Sequence, residues 1–422
     1  MTDKKRLIEN FTALTFMQLL NYVLPFVTLP YLARVLNTEG YGVYLFSQAF
    51  IQYFIVVVDF GFDLSATREI SLNRNNQKKI SEIVSSVLVA KIFLTIISLI
   101  LLIMLLFFIG TLREHWAIHL LTFGMVVGNM FFLLFFYQGI EKMKFITVLN
   151  VGVKIFFTLT VFLFVKKPSD LPLVPLLNSL GYLLIGVVSL IVIITVFKVN
   201  LKIPTKLEVV KRMKNSAQFF WSRVAVSIYT TSNTFIIGLV IGPEAAGIFG
   251  SADKLFRGVI SLYQPLNNVL YPYMAHSNNI KLYKKLFRFS VLINCIVVLI
   301  TILSSDFIVN LVFGGNFKDS AVLLKIFMLV ASFLMPSVLL GYPLLGALGY
   351  SKEVNNSVIV ASLMHITLLV ISIPFLSVKL VAFYVLFTEL FVFIYRAYFV
   401  RKYKLLSCNQ SFSRYRQEFC VM

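Results

Sequence analysis

Charge is what this chain is short of. Only 13% of its 422 residues are Asp, Glu, Lys or Arg, while 59% are hydrophobic. Soluble domains carry about 25% charge and roughly 45–50% apolar residues, so a water-soluble globule is excluded. Cysteine is scarce as well. Cys295, Cys408 and Cys420 are odd in number and widely spaced, which fits neither a disulfide framework nor a metal site. Of the four histidines, only His115 and His119 share a helical i, i+4 spacing. The acid that a zinc-protease helix places between its histidines is missing there, because Glu114 precedes the pair. No metal and no cofactor are expected. The chain also lacks a Gly-Lys-Ser/Thr phosphate loop, a nucleophile elbow and a kinase signature. It is therefore expected not to be an enzyme, and transport driven by ATP would need a separate subunit.

What the chain has is apolar runs. A transmembrane helix takes about 20 mainly apolar residues, and twelve such runs are legible. The first six fall at roughly 13–34, 41–64, 83–109, 117–138, 146–166 and 172–197. The second six fall at roughly 217–241, 246–273, 288–311, 321–347, 355–375 and 379–400. The expected fold class is an all-α integral membrane protein of about twelve transmembrane helices. The longest basic connection inside the chain divides it into 1–197, the connection 198–214, 215–400 and a basic tail 401–422. Met1-Thr2-Asp3-Lys4-Lys5-Arg6 resembles the start of a signal peptide. The apolar run that follows carries Pro25 and Pro30 and no small-residue cleavage site, so an uncleaved first helix is expected.

Lys and Arg set the orientation. The termini and the even-numbered connections collect 26 of the 38 basic residues, and the odd-numbered connections collect six: Arg34, Arg113, Lys166, Lys167, Lys318 and Lys379. Both termini are expected on the cytoplasmic side. The net charge of +20 reflects this asymmetry and attraction to anionic lipid. No nucleic-acid partner is expected, since no soluble fold carries a basic stripe.

The two halves repeat weakly. Val35-Leu36-Asn37-Thr38-Glu39-Gly40-Tyr41-Gly42-Val43-Tyr44 aligns without gaps on Val240-Ile241-Gly242-Pro243-Glu244-Ala245-Ala246-Gly247-Ile248-Phe249. Each is the tight turn between the first two spans of its half. Six helices per repeat make the repeat parallel, about an axis along the membrane normal, which is a transporter architecture.

Six basic residues fall inside predicted spans: Lys91, Lys154, Arg223, Lys254, Arg257 and Lys325. Each costs about 2.5–3.5 kcal/mol at a helix centre on translocon scales. They must line a wet cavity, pair with acids or snorkel to an interface. Asp59, Asp63, Asp253, Asp306 and Glu389 are the acids within reach of spans. Lys254 and Arg257 share one helix face with Asp253 beside them, and are the first choices for binding an anionic group. Lys91, Lys154, Arg223 and Lys325 are second choices, with snorkelling the alternative for each. Asp59, Asp63, Asp253 and Glu389 are candidates for charge pairing or for carrying a coupling proton. The seventh span is polar throughout, and Arg223, Val226, Thr230 and Asn233 share one face. That face suits either a water-lined path or helix packing through small polar groups. Prolines 25, 30, 265, 272, 336 and 343 lie inside spans, where each frees a carbonyl and can kink its helix.

Three strings carry a resemblance: Asp59-Phe60-Gly61-Phe62-Asp63-Leu64-Ser65-Ala66-Thr67-Arg68-Glu69-Ile70, Ser227 to Gly238, and Ala252-Asp253-Lys254-Leu255-Phe256-Arg257 with Leu270-Tyr271-Pro272 after it. Together they resemble the polysaccharide transporter family, specifically O-antigen flippases of the Wzx type, in the multidrug/oligosaccharidyl-lipid/polysaccharide exporter superfamily. Position 253 departs from the family's more frequent Glu. The resemblance implies two six-helix lobes around a central cavity open to one side at a time. It implies that an undecaprenyl-diphosphate-linked oligosaccharide is moved from the cytoplasmic to the periplasmic leaflet of the bacterial inner membrane. Expected partners are that substrate, membrane lipids, a polysaccharide polymerase and a chain-length regulator. A cation-coupled drug or metabolite exporter, a flippase for another head group and a membrane polymerase stay open as alternatives. The short odd-numbered connections argue against the last.

Overall fold

The computed structural model describes residues 3–261, 263–277 and 279–406, and side chains from position 24 onward except at 25, 222, 225, 226, 228–230, 264, 265, 268, 269 and 272. The side chains of Pro25, Val226, Thr230, Pro265 and Pro272, and all of Cys408 and Cys420 in the basic tail, lie outside the described residues.

Among the described residues the chain is helical, with no strand. The first half holds α1 (Asp3–Asp59), α2 (Phe62–Leu72), α3 (Gln77–Phe108), α4 (Gly110–Glu114), α5 (Trp116–Phe131), α6 (Leu134–Gly139), α7 (Met143–Phe164) and α8 (Leu173–Thr195). The second holds α9 (Lys206–Val240), α10 (Pro243–Ser261), α11 (Tyr263–Ser277), α12 (Ile280–Leu303), α13 (Ser305–Phe313), α14 (Asp319–Leu339), α15 (Ser351–Ile371) and α16 (Val378–Lys402). Nine helical stretches among the described residues are long and apolar enough to cross a membrane. The other three of the expected twelve are the first, the seventh and the eighth. Spans one and two run together as Phe26–Leu72. In span seven the described apolar stretch is Thr231–Val240, and the side chains at 222, 225, 226 and 228–230 lie outside the described residues. Span eight is described as α10 and α11 on either side of position 262, which lies outside the described residues, and carries Asp253, Lys254 and Arg257. The chain is a multi-pass membrane protein.

Helix ends follow local chemistry. Asn76 caps α3 by accepting from the Lys79 backbone N–H at 3.0 Å. Thr205 and Glu208 form a reciprocal capping box at the start of α9. Inside α14 stands Pro336, and after it Leu340–Gly346 widens into a π-helix holding Pro343, with Gly341 off helical geometry. The kink expected from those two prolines is thus present.

The aligned turns break at equivalent places. Asn37 has φ 61°, and Gly242, its partner in the alignment, has φ 128°. Asn and Gly are the residues that adopt positive φ most readily. The two turns also touch. A Cβ on Gly42 would lie 1.9 Å from the Pro243 carbonyl oxygen, and one on Gly247 would lie 2.6 Å from that of Thr38 and 3.0 Å from Gly42 Cα. The Thr38 hydroxyl donates to Glu244 Oε1 at 3.1 Å.

Packing groups the chain into two compact units. One comprises 1–251, 309–320 and 373–378, and the other 252–308, 321–372 and 379–422. In the first, α1 lies against α5, α7 and α9, and α5 against α8. In the second, the π segment packs on α11 and α15, around Met274, Tyr283, Leu344 and Leu345.

Candidate functional site

The second span is broken where the charge sits. Helix α1 stops at Asp59, Phe60 and Gly61 take φ of 43° and 76°, and α2 starts at Phe62. Glycine is required at 61 on two counts. Positive φ is costly for other residues, and an added Cβ would lie 2.8 Å from Phe219 Cβ and from the Phe220 nitrogen. The Phe60 ring stacks on Phe220 at 4.6 Å, so α9 closes over the break.

The break delivers the Asp59 carboxylate to α3 and α5. Lys91, 1% exposed, donates from Nζ to Asp59 Oδ1 at 2.9 Å and to the Asn129 carbonyl at 3.1 Å. Asn129 Nδ2 donates to the same carboxylate oxygen at 2.9 Å. Lys91 therefore neither snorkels nor stands alone. Asp63, in the first turn of α2, interacts electrostatically with Asp59, Lys91 and Arg223 of α9. Asp59, Asp63, Lys91 and Arg223 thus come from four helices to one place, with two charges of each sign. An anion brought to Lys91 would have to compete with Asp59 for its ammonium group.

The first-choice residues form a separate cluster in the second unit. Arg257 Nε donates to Asp253 Oδ2 at 2.6 Å along α10, and half-buried Lys254 feels both charges. Lys325 pairs with Asp306 at 2.8 Å, joining α14 to α13. Lys154 on α7, Asn233 on α9 and Glu389 on α16 are half-buried. Next to Asn233, Ser232 accepts from the Tyr53 hydroxyl at 3.0 Å.

Histidine does structural service here. His119 is buried, shares a 3.0 Å hydrogen bond with Ser47, and meets the rings of Phe46 and Phe50 edge-on. Among the described residues no three or more His, Cys, Asp or Glu side chains are grouped to hold a metal.

Two polar anchors escaped the sequence reading. Asn129 completes the Asp59–Lys91 cluster, and an isolated Asn in an apolar run was its signal. Arg396, counted above with the basic side of its span, is buried at 8% exposure. It donates from Nε to Ser357 Oγ at 3.0 Å and from Nη1 to the Ser337 carbonyl at 2.9 Å. Its signal was a basic residue four positions before the expected end of span twelve, deeper than its count with the basic side allowed.

Comparison with known proteins places the chain and its fold. The chain is 29% identical over 415 residues to a protein of Escherichia coli (strain K12) named "Putative O-antigen transporter", covering 96% of this chain and 100% of that one. Among solved structures it superposes on the lipid II flippase MurJ in an inward closed conformation, with a TM-score of 0.75, 14% identity, and coverage of 93% of this chain and 87% of that one. It also superposes on an inward-facing multidrug resistance MATE family transporter of the MOP superfamily, with a TM-score of 0.68, 13% identity, and coverage of 92% and 96%. Its fold is thus that of MurJ and MATE transporters. A family model for polysaccharide biosynthesis proteins matches residues 7–278, well over half of the chain, and the chain belongs to that family.

Proposed function

We propose that this chain is a flippase. It carries an undecaprenyl-diphosphate-linked oligosaccharide repeat unit, of an O-antigen or related surface polysaccharide, from the cytoplasmic to the periplasmic leaflet of the bacterial inner membrane. The observation that carries the reading is the Asp59–Lys91–Asn129 cluster around the buried Lys91, with Asp63 and Arg223 in electrostatic reach. Charge is kept in a membrane helix only where it is paired and used. A diphosphate and its sugars cannot cross hydrocarbon unaided, because burying unpaired charge is too costly. Basic groups that can trade a carboxylate for a diphosphate supply what the lipid does not. The name of the Escherichia coli relative and the family match support the same substrate class.

The chain acts by alternating access, with residues 1–197 rocking against 215–400 and the connection 198–214 as a tether at the cytoplasmic surface, where both termini lie. Lys254 and Arg257 provide a second basic station, with Lys154, Lys325 and Asn233 along the path. Asp59, Asp63, Asp253 and Glu389 neutralise these bases or carry a coupling proton. A polysaccharide polymerase and a chain-length regulator take the product onward. The fold shared with a multidrug transporter favours one second reading, a cation-coupled exporter.

Deletion of the gene in its host, with analysis of surface polymer and lipid-linked intermediates, tests the proposal. The expected result is loss of polymer, retention of the diphosphate-linked unit on the cytoplasmic face, and rescue by the wild-type gene but not by Lys91→Ala/Arg223→Ala made at normal abundance. Normal polymer with altered drug resistance would replace the flippase by the exporter. Loss of polymer with single units accumulating in the periplasm would replace it by a polymerase.

A further inference from the structure

Beyond the charged cluster, one cavity of about 590 Å³ opens in the first unit where α2, α3 and α9 meet. None of the residues assigned above lines it. Arg68, Arg212 and Lys214 contribute three positive charges to its wall, and Glu69 one negative. Gln218 adds an amide and Phe219 a ring face. Arg68 and Lys214 are exposed, whereas Arg212 is only 8% exposed. Arg212 pairs through Nη1 with Glu69. Its Nε–H is buried and has no acceptor. A guanidinium presents its N–H groups as a planar fork suited to carboxylate and phosphate oxygens, and a buried donor without an acceptor is a rarity that calls for one. Here a fork with one N–H unsatisfied lines a cavity whose wall carries a net charge of plus two.

The position along the helices matters as much as the charge. Asp63 and Arg68 are five residues apart on α2, about 7.5 Å of helix axis. Arg212 and Arg223 are eleven apart on α9, about 16 Å. Two of the three helices that build this cavity, α2 and α9, also supply Asp63 and Arg223 to the charged cluster, so an anion held at the cavity has a basic residue ahead of it on α9. The wall also suits what such an anion would carry, since the Gln218 amide can hydrogen-bond to sugar hydroxyls and the Phe219 ring can lie on a sugar face.

We propose that this cavity is a separate docking station for the phosphate-bearing head group of a membrane lipid, held by Arg212, Arg68 and Lys214 before it reaches the Asp59–Lys91–Arg223 cluster. That the head group is a polyprenyl diphosphate rests on the transport reading above. The site itself stands on the cavity and on the buried Nε–H of Arg212 that has no acceptor. Two sources share the chemistry: the lipid-linked diphosphate and an anionic glycerophospholipid.

The full-length protein in phosphatidylcholine nanodiscs, titrated with labelled farnesyl diphosphate, tests this. Wild type should bind. Arg68→Gln/Lys214→Gln should weaken binding by about tenfold or more with an unchanged melting curve, because both side chains are exposed. Arg212→Gln should weaken it further, and Arg212→Lys should restore charge without the fork and recover it only in part. Adding phosphatidylglycerol distinguishes the sources. Competition at that addition identifies a glycerophospholipid as an occupant, and no competition identifies the diphosphate; either outcome supports the station. Affinity equal to wild type in Arg68→Gln/Lys214→Gln and in folded Arg212→Gln would overturn it, as would no binding by wild type. Complementation of the deletion strain separates the two proposals. Variants that bind like wild type and restore polymer would remove the station and leave the flippase. A wild-type protein that binds through these residues but never restores polymer would remove the flippase and leave the station.

Discussion

Two acid–base pairs in this molecule differ in what they connect. Arg257 and Asp253 are four residues apart on one helix, so the pair moves with α10 wherever it goes. Lys91 and Asp59 stand 32 residues apart, on α3 and at the end of α1, with Asn129 of α5 bonded to the same carboxylate. The first pair asks nothing of the tertiary structure. The second exists only while three helices keep their places, and its lysine is buried. A bond of the second kind is where substrate binding can be coupled to helix motion, because remaking it changes which helices are held together. Arg257 keeps 47% of its side chain exposed, so its pair is partly screened and easily exchanged.

Breaking the inter-helix pair should have the largest effect. Lys91→Met leaves the Asn129 amide as the donor to Asp59 in this cluster. Removing one partner of a fully buried pair costs about 3–5 kcal/mol, and the cost here falls toward the lower figure because Asp59 keeps 27% of its side chain exposed. Asp59→Asn/Lys91→Met removes both charges and should recover most of that stability, while transport stays lost. Thermal unfolding of the purified protein in detergent measures the first and complementation the second. A double variant as unstable as Lys91→Met would show that Lys91 matters for packing and not for charge.

The next test separates the helices without touching charge. Gly42 and Gly247 let the two related turns approach until backbone meets backbone. Gly42→Val must push the Pro243 carbonyl away, a strain of about 1–3 kcal/mol by the usual cost of overpacking. The contact can be followed by a disulfide between Thr38→Cys and Glu244→Cys, whose side chains are hydrogen-bonded in the parent. The cross-link should form in the otherwise unchanged chain and fade when Gly42→Val is added. Gly40→Val is the control, since a Cβ there meets only Leu36 at 3.3 Å and Leu171 at 3.9 Å.

The local pair should respond far less. Arg257→Gln removes a partly exposed i, i+4 interaction worth about 0.3–0.5 kcal/mol, within the scatter of a melting measurement. If transport nevertheless falls sharply at normal abundance, Arg257 acts on substrate and its pairing with Asp253 is incidental. A melting temperature lowered as much as by Lys91→Met would erase the distinction between the two pairs.

The same distinction explains what could be read from the sequence. Apolar runs are local, and so are the prolines 336 and 343 and the aligned turns with Asn37 and Gly242. All of these were legible, because each depends on residues a few positions apart. Lys254 and Arg257 attracted attention for the same reason, being neighbours in sequence. The Asp59–Lys91–Asn129 cluster was visible only as separate polar residues, since nothing local says that α3 presents Lys91 to the end of α1. Arg212 was read as one more basic residue of the cytoplasmic connection. Its partner Glu69 lies 143 positions earlier, and no periodicity spans such a gap. Spans seven and eight were the least regular in the apolar pattern, and these are the helices that carry Arg223, Asn233, Lys254 and Arg257.

The smallest expected effect lies outside the membrane, at the start of α9, and it sharpens the comparison because it too is a purely local pairing. Glu208 accepts from the Thr205 backbone N–H at 2.7 Å and from its hydroxyl at 2.9 Å. Those bonds, the backbone one foremost, hold its carboxyl below the usual glutamate range, with Lys79 adding to the effect. A depressed carboxyl contributes stability above its unfolded pKa and loses it as pH falls through the folded one. The first turn of α9 should therefore exchange its amide hydrogens faster, after correction for intrinsic rates, as pH falls below about 4.3, the ordinary glutamate value. Glu208→Gln should abolish the pH step while keeping an acceptor for the Thr205 N–H. Because the box lies within four residues at one helix end, the acceleration should stay in that turn and leave the amides around Asp59 and Lys91 unchanged. Acceleration that spread to those amides would mean that the surface tether and the inter-helix cluster open together.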